Sequence, residues 1–250
     1  MYPQLQPRAP RSVVPGLRTV SADDPALPQT GGRVTALPVY RNILAVDIEN
    51  STGRTNPARR ALRSELYQLL LESLRGVGIE DGDRERFVDR GDGALVLIHP
   101  VDHVPKPLLL THVVPCMSKL VRGYNDALPA GELAARGLRI RTVLHAGEVH
   151  YDGYGPFGES VDVACRLLDA RRVKKCLRGS SAPLVLVVSD HLHSEIIRHR
   201  YAGIDPSVFA PLVTVSLGGR RHRGWVCVSD VELLPVERAL AVPAPRRAIS

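Results

Sequence analysis

The sequence predicts an α+β fold, a mostly antiparallel sheet with helices on one face, and three observations carry that reading. Apolar runs of strand length end in turn residues, as in Arg41 to Ile48 and Leu184 to Val188. Leu62, Leu66, Leu69, Leu70 and Leu74 recur at helical spacing. Gly91-Asp92-Gly93 separates two further short runs, which marks a tight hairpin.

Taken in order, Arg41 to Ile48 is a buried strand. Asn56-Pro57 opens the first helix, with Asn as N-cap and Pro as the first helical residue, and the leucine stripe carries it to Arg75. Arg86 to Val88 and Ala94 to Ile98 form the hairpin around Gly91-Asp92-Gly93. Leu108 to Asn125 is a second helix. Leu138 to Glu148 is a strand in which Leu138, Ile140, Thr142 and Leu144 alternate with arginines and His145. A Gly-bearing loop from Asp152 to Gly158 enters a third helix, Ser160 to Leu177. Leu184 to Val188 is a strand, Asp190 to Arg200 a short helix, and Val213 to Leu217 with Gly224 to Val228 a closing C-terminal hairpin. The order βαββαβ is the ferredoxin-like signature.

Residues 1–39 hold seven prolines and no sustained periodicity, and read as a mobile arm. Residues 40–233 are the folded body, and residues 234–250, with Pro235, Pro243 and Pro245, a flexible tail. At 250 residues and 44% apolar content the chain can bury a sizeable core. No stretch approaches the ~20 apolar residues of a membrane span, and no signal-peptide core is present, so a cytoplasmic protein without a membrane partner is expected. The four cysteines form no CxxC pair, which argues against a zinc site or a disulfide framework. The net charge of +7 suits an anionic partner. The basic residues are mostly arginines spread along the chain, and no nucleic-acid-binding motif accompanies them, so an anionic small molecule is expected rather than DNA or RNA.

Asp47 and Asp92 are the candidate chemistry. Each closes or opens a strand-like apolar run beside a turn. A carboxylate at the end of a buried strand is costly unless a cation or donors compensate it. Two on one sheet would give oxygen ligands for Mg²⁺ or Mn²⁺. The competing readings are an ordinary cap at Asp47 and an Asp-Gly hairpin turn at Asp92.

Three segments together resemble the class III nucleotidyl cyclases, the catalytic domains of adenylate and guanylate cyclases, over about residues 40 to 230. Ala45-Val46-Asp47-Ile48-Glu49-Asn50-Ser51-Thr52 looks like the family's first metal loop, and Arg90-Gly91-Asp92-Gly93 like its second. His145-Ala146-Gly147-Glu148-Val149, with the stretch from Gly158 to Ala170, looks like its strand and transition-state helix. The resemblance implies that Asp47, Asp92 and the Ile48 carbonyl hold two divalent ions, Mg²⁺ or Mn²⁺. It implies that Asn50, Ser51 and Thr52 cradle phosphate through backbone N–H groups, and that Arg166 stabilises charge as the bond to pyrophosphate breaks. It also implies a head-to-tail homodimer in which the metal site and the helix of Arg166 come from opposite subunits.

The departures from the family pattern are specific. Asp162 stands four residues before Arg166, where the family has an Asn that orients the ribose. The two purine-selecting positions fall on Val88 and Gly155, leaving Asp89 or Arg90 to read the base after a shift of register. The phosphate-binding Lys of the last hairpin has no clear equivalent, and Arg220, Arg221 and Arg223 are the candidates for its role. Stand-alone uridylate and cytidylate cyclases of bacterial anti-phage (Pycsar) systems are similar in size and also lack the purine pair. The expected function is therefore conversion of a nucleoside triphosphate, UTP or CTP, to a 3′,5′-cyclic nucleotide and pyrophosphate. The alternative is a cyclase-like nucleotide-binding or regulatory module without turnover, for which Asp162 is the best support.

Overall fold

The computed structural model of the chain describes residues 33–227. The arm up to residue 32, the tail, and the last residue of the predicted closing hairpin, Val228, lie outside the described residues. The first strand, β1 (Val39–Ile48), is buried from Arg41 onwards. Helix α1 (Asn56–Arg75) follows, then the short strand β2 (Val88–Asp89) and β3 (Gly93–Ile98). A helical stretch comes next, made of α2 (Lys106–Leu108), a π turn (Leu109–Val113) and α3 (Val114–Asp126), followed by α4 (Leu133–Arg136). Strand β4 (Ile140–Tyr151) pairs with the two-residue β5 (Pro156–Phe157) and leads into α5 (Glu159–Asp169) and α6 (Arg171–Arg178). Strand β6 (Leu184–Ser189), α7 (Asp190–Leu192) and the hairpin of β7 (Ala210–Leu217) and β8 (Arg220–Cys227) complete the body.

The sheet runs β2-β3-β1-β4-β6-β8-β7, with β5 attached to β4. Its first four strands have the ferredoxin-like order, all antiparallel, and among the described residues the β4–β6 pair alone is parallel. The helices were expected on one face, and here the structure differs. Leu44, Val46 and Ile48 of β1 pack with Leu62, Leu66, Leu70 and Leu74 of α1 and with Met117 and Val121 of α3. Ile43 and Ala45 face the other way, against Val161, Ala164 and Leu167 of α5 and Val173 and Leu177 of α6. Helices α1 and α3 thus share one face while α5 and α6 cover the other. This is why β1 reads as a continuous apolar run instead of an alternating one. Each buried leucine contributes about 2 kcal/mol.

Three other boundaries differ for local reasons. Thr55, extended at φ −65° and ψ 154°, is the N-cap of α1, so Asn56 is already helical and Pro57 lies in the first turn. The helix predicted from Leu108 widens into its π turn just ahead of Pro115, which cannot donate to the carbonyl four residues back. The helix predicted over Ser160 to Leu177 breaks at Ala170, whose ψ is 130°. From Leu168 the next buried apolar residue is Val173, a step of five, so an unbroken helix would swing its stripe off the sheet. At the other end of the body, the helix predicted over Asp190 to Arg200 is the single turn of α7 followed by a π turn, His193–Ile197.

The chain from Arg33 is pinned before β1 begins. Arg33 Nη1 lies 2.9 Å from Glu85 Oε1, and the Thr35 amide donates to the Tyr151 carbonyl at 3.0 Å. Glu85 also receives Arg41 of β1 at 3.1 Å.

Candidate active site

Asp47 sits at the next-to-last position of β1, opposite Gly93 of β3 on one side and Arg141 of β4 on the other. Side-chain alternation turns it to the face that carries α5 and α6. Gly93 is needed there: a Cβ at that position would lie 2.1 Å from the Val46 carbonyl oxygen and 2.9 Å from Asp47 Cβ. The Ile48 amide donates to the Asp92 carbonyl at 3.0 Å, and Gly91 takes the positive φ of 79° that the turn requires. Strand register and one glycine therefore bring Asp47, Ile48 and Asp92 to one corner of the sheet.

The Asp47 carboxylate has a partner that the sequence did not announce. Arg141 Nε donates to Oδ1 at 2.6 Å and Nη2 to Oδ2 at 2.5 Å, a bidentate pair in which both residues are buried. Burial pushes the Asp47 carboxyl up to about 6, against the pull of Arg141 and with the negative charges of Asp92 and Asp169 adding to the rise. Among the described residues no cluster of three or more His, Cys, Asp and Glu side chains could hold a metal. The donor set for a divalent ion is thus two carboxylates and main-chain oxygen, hard ligands of the type that Mg²⁺ and Mn²⁺ take. These residues fit such an ion once Arg141 leaves the Asp47 oxygens.

Beyond β1 the chain turns sharply. Asn50 adopts the left-handed conformation at φ 54° and ψ 32°, and a 3₁₀ turn, Ser51–Gly53, follows with Ser51 buried and Thr52 exposed. A left-handed residue next to right-handed ones makes a backbone concavity suited to anions. Beside it opens a pocket of about 440 Å³ lined by Glu49, Asn50, Arg139, Arg141, Lys174 and Arg178. Arg139 is held there by Glu49 at 3.0 Å and by carbonyls after α6, those of Ser180 at 2.7 Å and Ala182 at 3.3 Å, and by that of Leu177. Lys174 reaches Asp169 at 3.2 Å. Lys174, Arg139 and Arg141 were not among the residues that the sequence singled out. The period-two spacing of the two arginines was the available signal, since it puts both on the face of Asp47.

The other predicted residues fall elsewhere. Asp162 and Arg166 are exposed, one turn apart on α5, with no ion pair between them. Arg166 is not among the residues that line the pocket of Asn50 and Arg141. Asp89 is bound by Arg63 of α1 through both guanidinium arms and by the Gly91 amide at 2.7 Å, and the Arg63 contact holds its carboxyl below the usual range. Three of its acceptor positions are thereby engaged, while the side chain stays 56% exposed. Arg90 is exposed beside the Asp92 turn and lies close enough to Cys165 of α5 to act on its thiol. Val88 is half-buried, and Gly155, at φ 154°, has nothing within 4 Å of the place a Cβ would take. Arg220 lies beyond the hairpin tip, 3.7 Å from Glu159 at the start of α5.

Arg221 and Arg223 line a second pocket of about 500 Å³, together with His145, Ser189, His191 and His222. His145 is buried there. Its Nδ1 lies 2.8 Å from Ser189 Oγ, and burial lowers its pKa to about 4, helped by the charges of His191 and His222.

No protein-family model and no curated protein matches the sequence. Solved structures do. An adenylate/guanylate cyclase/hydrolase from Silicibacter pomeroyi superposes with a TM-score of 0.50 at 20% identity, over 77% of this chain and 98% of that one. The guanylyl cyclase Cya2 is 17% identical with a TM-score of 0.48, covering 76% and 91% of the two chains. The adenylyl cyclase CyaB of P. aeruginosa is 14% identical with a TM-score of 0.48, covering 76% and 94%. The fold of this chain is that of the class III adenylate/guanylate cyclase catalytic domains.

Proposed function

We propose that the chain is a nucleotidyl cyclase working on a nucleoside triphosphate. The observation that carries the proposal is the meeting of Asp47, Ile48 and Asp92 at one corner of the sheet, beside a left-handed turn and a cationic pocket. Asp47, Asp92 and the Ile48 carbonyl are the residues that would hold Mg²⁺ or Mn²⁺, two ions per site. When bound, such ions favour ionisation of the ribose 3′-hydroxyl and offset charge on the departing pyrophosphate.

The chain's own groups do the rest. Backbone N–H groups of Asn50, Ser51 and Thr52, with Arg139, Lys174 and Arg178, hold the triphosphate. The 3′-oxygen attacks the α-phosphorus, the bond to the β-phosphate bridging oxygen breaks, and the products are a 3′,5′-cyclic nucleotide and pyrophosphate. Holding that oxygen in line supplies much of the advantage. Arg166 lies exposed on α5, so in this reading it serves the site of a second copy in a head-to-tail homodimer. There it meets the charge that develops on the phosphates. Asp162, one turn earlier, accepts a hydrogen bond from the ribose.

The base proposed is a pyrimidine. Val88 and Gly155 have no side chain that reads a purine edge, and Asp89 is engaged by Arg63. A site without buried groups to pair gives no purine discrimination. Arg90 and backbone groups remain for a smaller base, as UTP or CTP would present, and a diffusible cyclic pyrimidine nucleotide suits a signal such as one in anti-phage defence. Equal concentrations of the four triphosphates with Mn²⁺, analysed by mass spectrometry, test this. Cyclic UMP or cyclic CMP is expected to form fastest, and predominance of cyclic AMP or cyclic GMP would overturn the base assignment.

A second reading, a binding module without turnover, is favoured by Arg141, which occupies both oxygens of Asp47. It predicts triphosphate binding with no cyclic product in the same assay.

A further inference from the structure

The bidentate pair of Arg141 and Asp47 puts a resident cation where the proposed function needs a divalent one. A carboxylate has about four acceptor sites, and a guanidinium fork fills one on each oxygen in the plane of the group. Arg141 takes Asp47 in that way, from β4, at 2.6 and 2.5 Å. Asp47 and Arg141 are 8% and 7% exposed, so water offers little competing solvation to either. The same Arg141 also lines the pocket of Arg139, Lys174 and Arg178. One side chain thus borders both the metal corner and the anion pocket.

We propose that Arg141 is a displaceable internal counter-ion: in the metal-free chain it neutralises Asp47, and a divalent ion binds there only by driving the guanidinium into the adjoining cationic pocket. The inference rests on the metal reading of Asp47 and Asp92 given above. It follows that metal binding to the chain alone is weak, for two reasons. The seat is free only when the pair is open, and an apparent affinity falls by the fraction of time that the competent state is populated. The displaced guanidinium also joins Arg139, Lys174 and Arg178, of which Glu49 and Asp169 pair only the first two, so positive charge is left in excess that an anion would relieve. Triphosphate phosphates are that anion, so cation and phosphate favour each other's binding through one arginine. Such coupling is reciprocal by thermodynamic necessity.

The test is Mn²⁺ affinity without nucleotide, read from the electron paramagnetic resonance signal of free Mn²⁺, in the wild type, Arg141→Met and Arg141→Lys. A seat free about a tenth of the time predicts about tenfold tighter Mn²⁺ binding in Arg141→Met. Arg141→Lys, which keeps a charge and loses the fork, should fall between. Asp47→Asn added to Arg141→Met should abolish the gain. Breaking a buried pair is strongly destabilising, so thermal melts accompany each titration, and Arg141→Lys decides the matter if Arg141→Met does not fold. A folded Arg141 variant with Mn²⁺ affinity equal to or weaker than that of the wild type would overturn the counter-ion role and leave the metal site standing. Absence of Mn²⁺ binding in every variant would overturn the metal reading of Asp47 and Asp92 as well.

Discussion

His145 shows how a single buried group sets a pH response. Its folded pKa of about 4 lies below the ordinary value of 6.5, because burial disfavours the imidazolium. As pH falls through 6.5 the unfolded chain takes up a proton that the folded chain refuses until about 4, so stability declines over that window and is fully present above it. The loss amounts to about 3 kcal/mol. His145→Asn should remove this slope. Urea melts of both proteins from pH 7 to pH 4 should show the wild type losing ground to the variant by about that amount, and parallel curves would refute the assignment. His145 was legible in the sequence as a strand residue. Its partner Ser189 was not, since the β4–β6 pairing that joins them spans a helical crossover. Arg141 was hidden for the same reason. Its alternation with Arg139 was visible, but only the register of β1 against β4 shows that it faces Asp47.

At the level of elements, local pattern was readable where one residue type repeats at one period. The leucine stripe carried α1 to its end at Arg75, and Gly91-Asp92-Gly93 gave the hairpin. What failed was continuity. The breaks at Ala170 and before Pro115 come from the need to keep a stripe on a twisted sheet and from a missing N–H, effects that a smooth period conceals. The second helical layer was missed because a strand buried on both faces loses its alternation. Gly93 links the hairpin to the chemistry. Gly93→Ala would drive a Cβ to within 2.1 Å of the Val46 carbonyl, so the turn must lift and carry Asp92 away from Ile48. The expected cost is about 1–3 kcal/mol of stability, with turnover reduced at least tenfold. Retention of full turnover in the Gly93→Ala protein would mean that the turn's position does not matter.

For the whole molecule, the exposure of Asp162 and Arg166 on α5 makes assembly the next question. Asp47 and Asp92 stood out in the sequence as strand-end carboxylates and Asp162 and Arg166 as one helix face, whereas the meeting of Asp47 with Asp92 and Arg141 required the fold. A C₂ dimer repeats each composite site twice. Asp47→Ala and Arg166→Ala subunits, each inactive alone, should therefore regain up to about half the wild-type sites per dimer when mixed. A verified mixed dimer without activity would contradict the head-to-tail arrangement.

The most direct measurement follows the products of the purified wild-type chain and of Asp92→Ala, with Mn²⁺ and each triphosphate in turn. Cyclic mononucleotide and pyrophosphate should appear in equal amounts from the wild type. They should vanish in Asp92→Ala, whose thermal stability should stay within about 1 kcal/mol because the residue lies on a turn outside the core. Conversion by the wild type to a linear monophosphate or diphosphate, or no conversion of any triphosphate, would contradict a nucleotidyl cyclase.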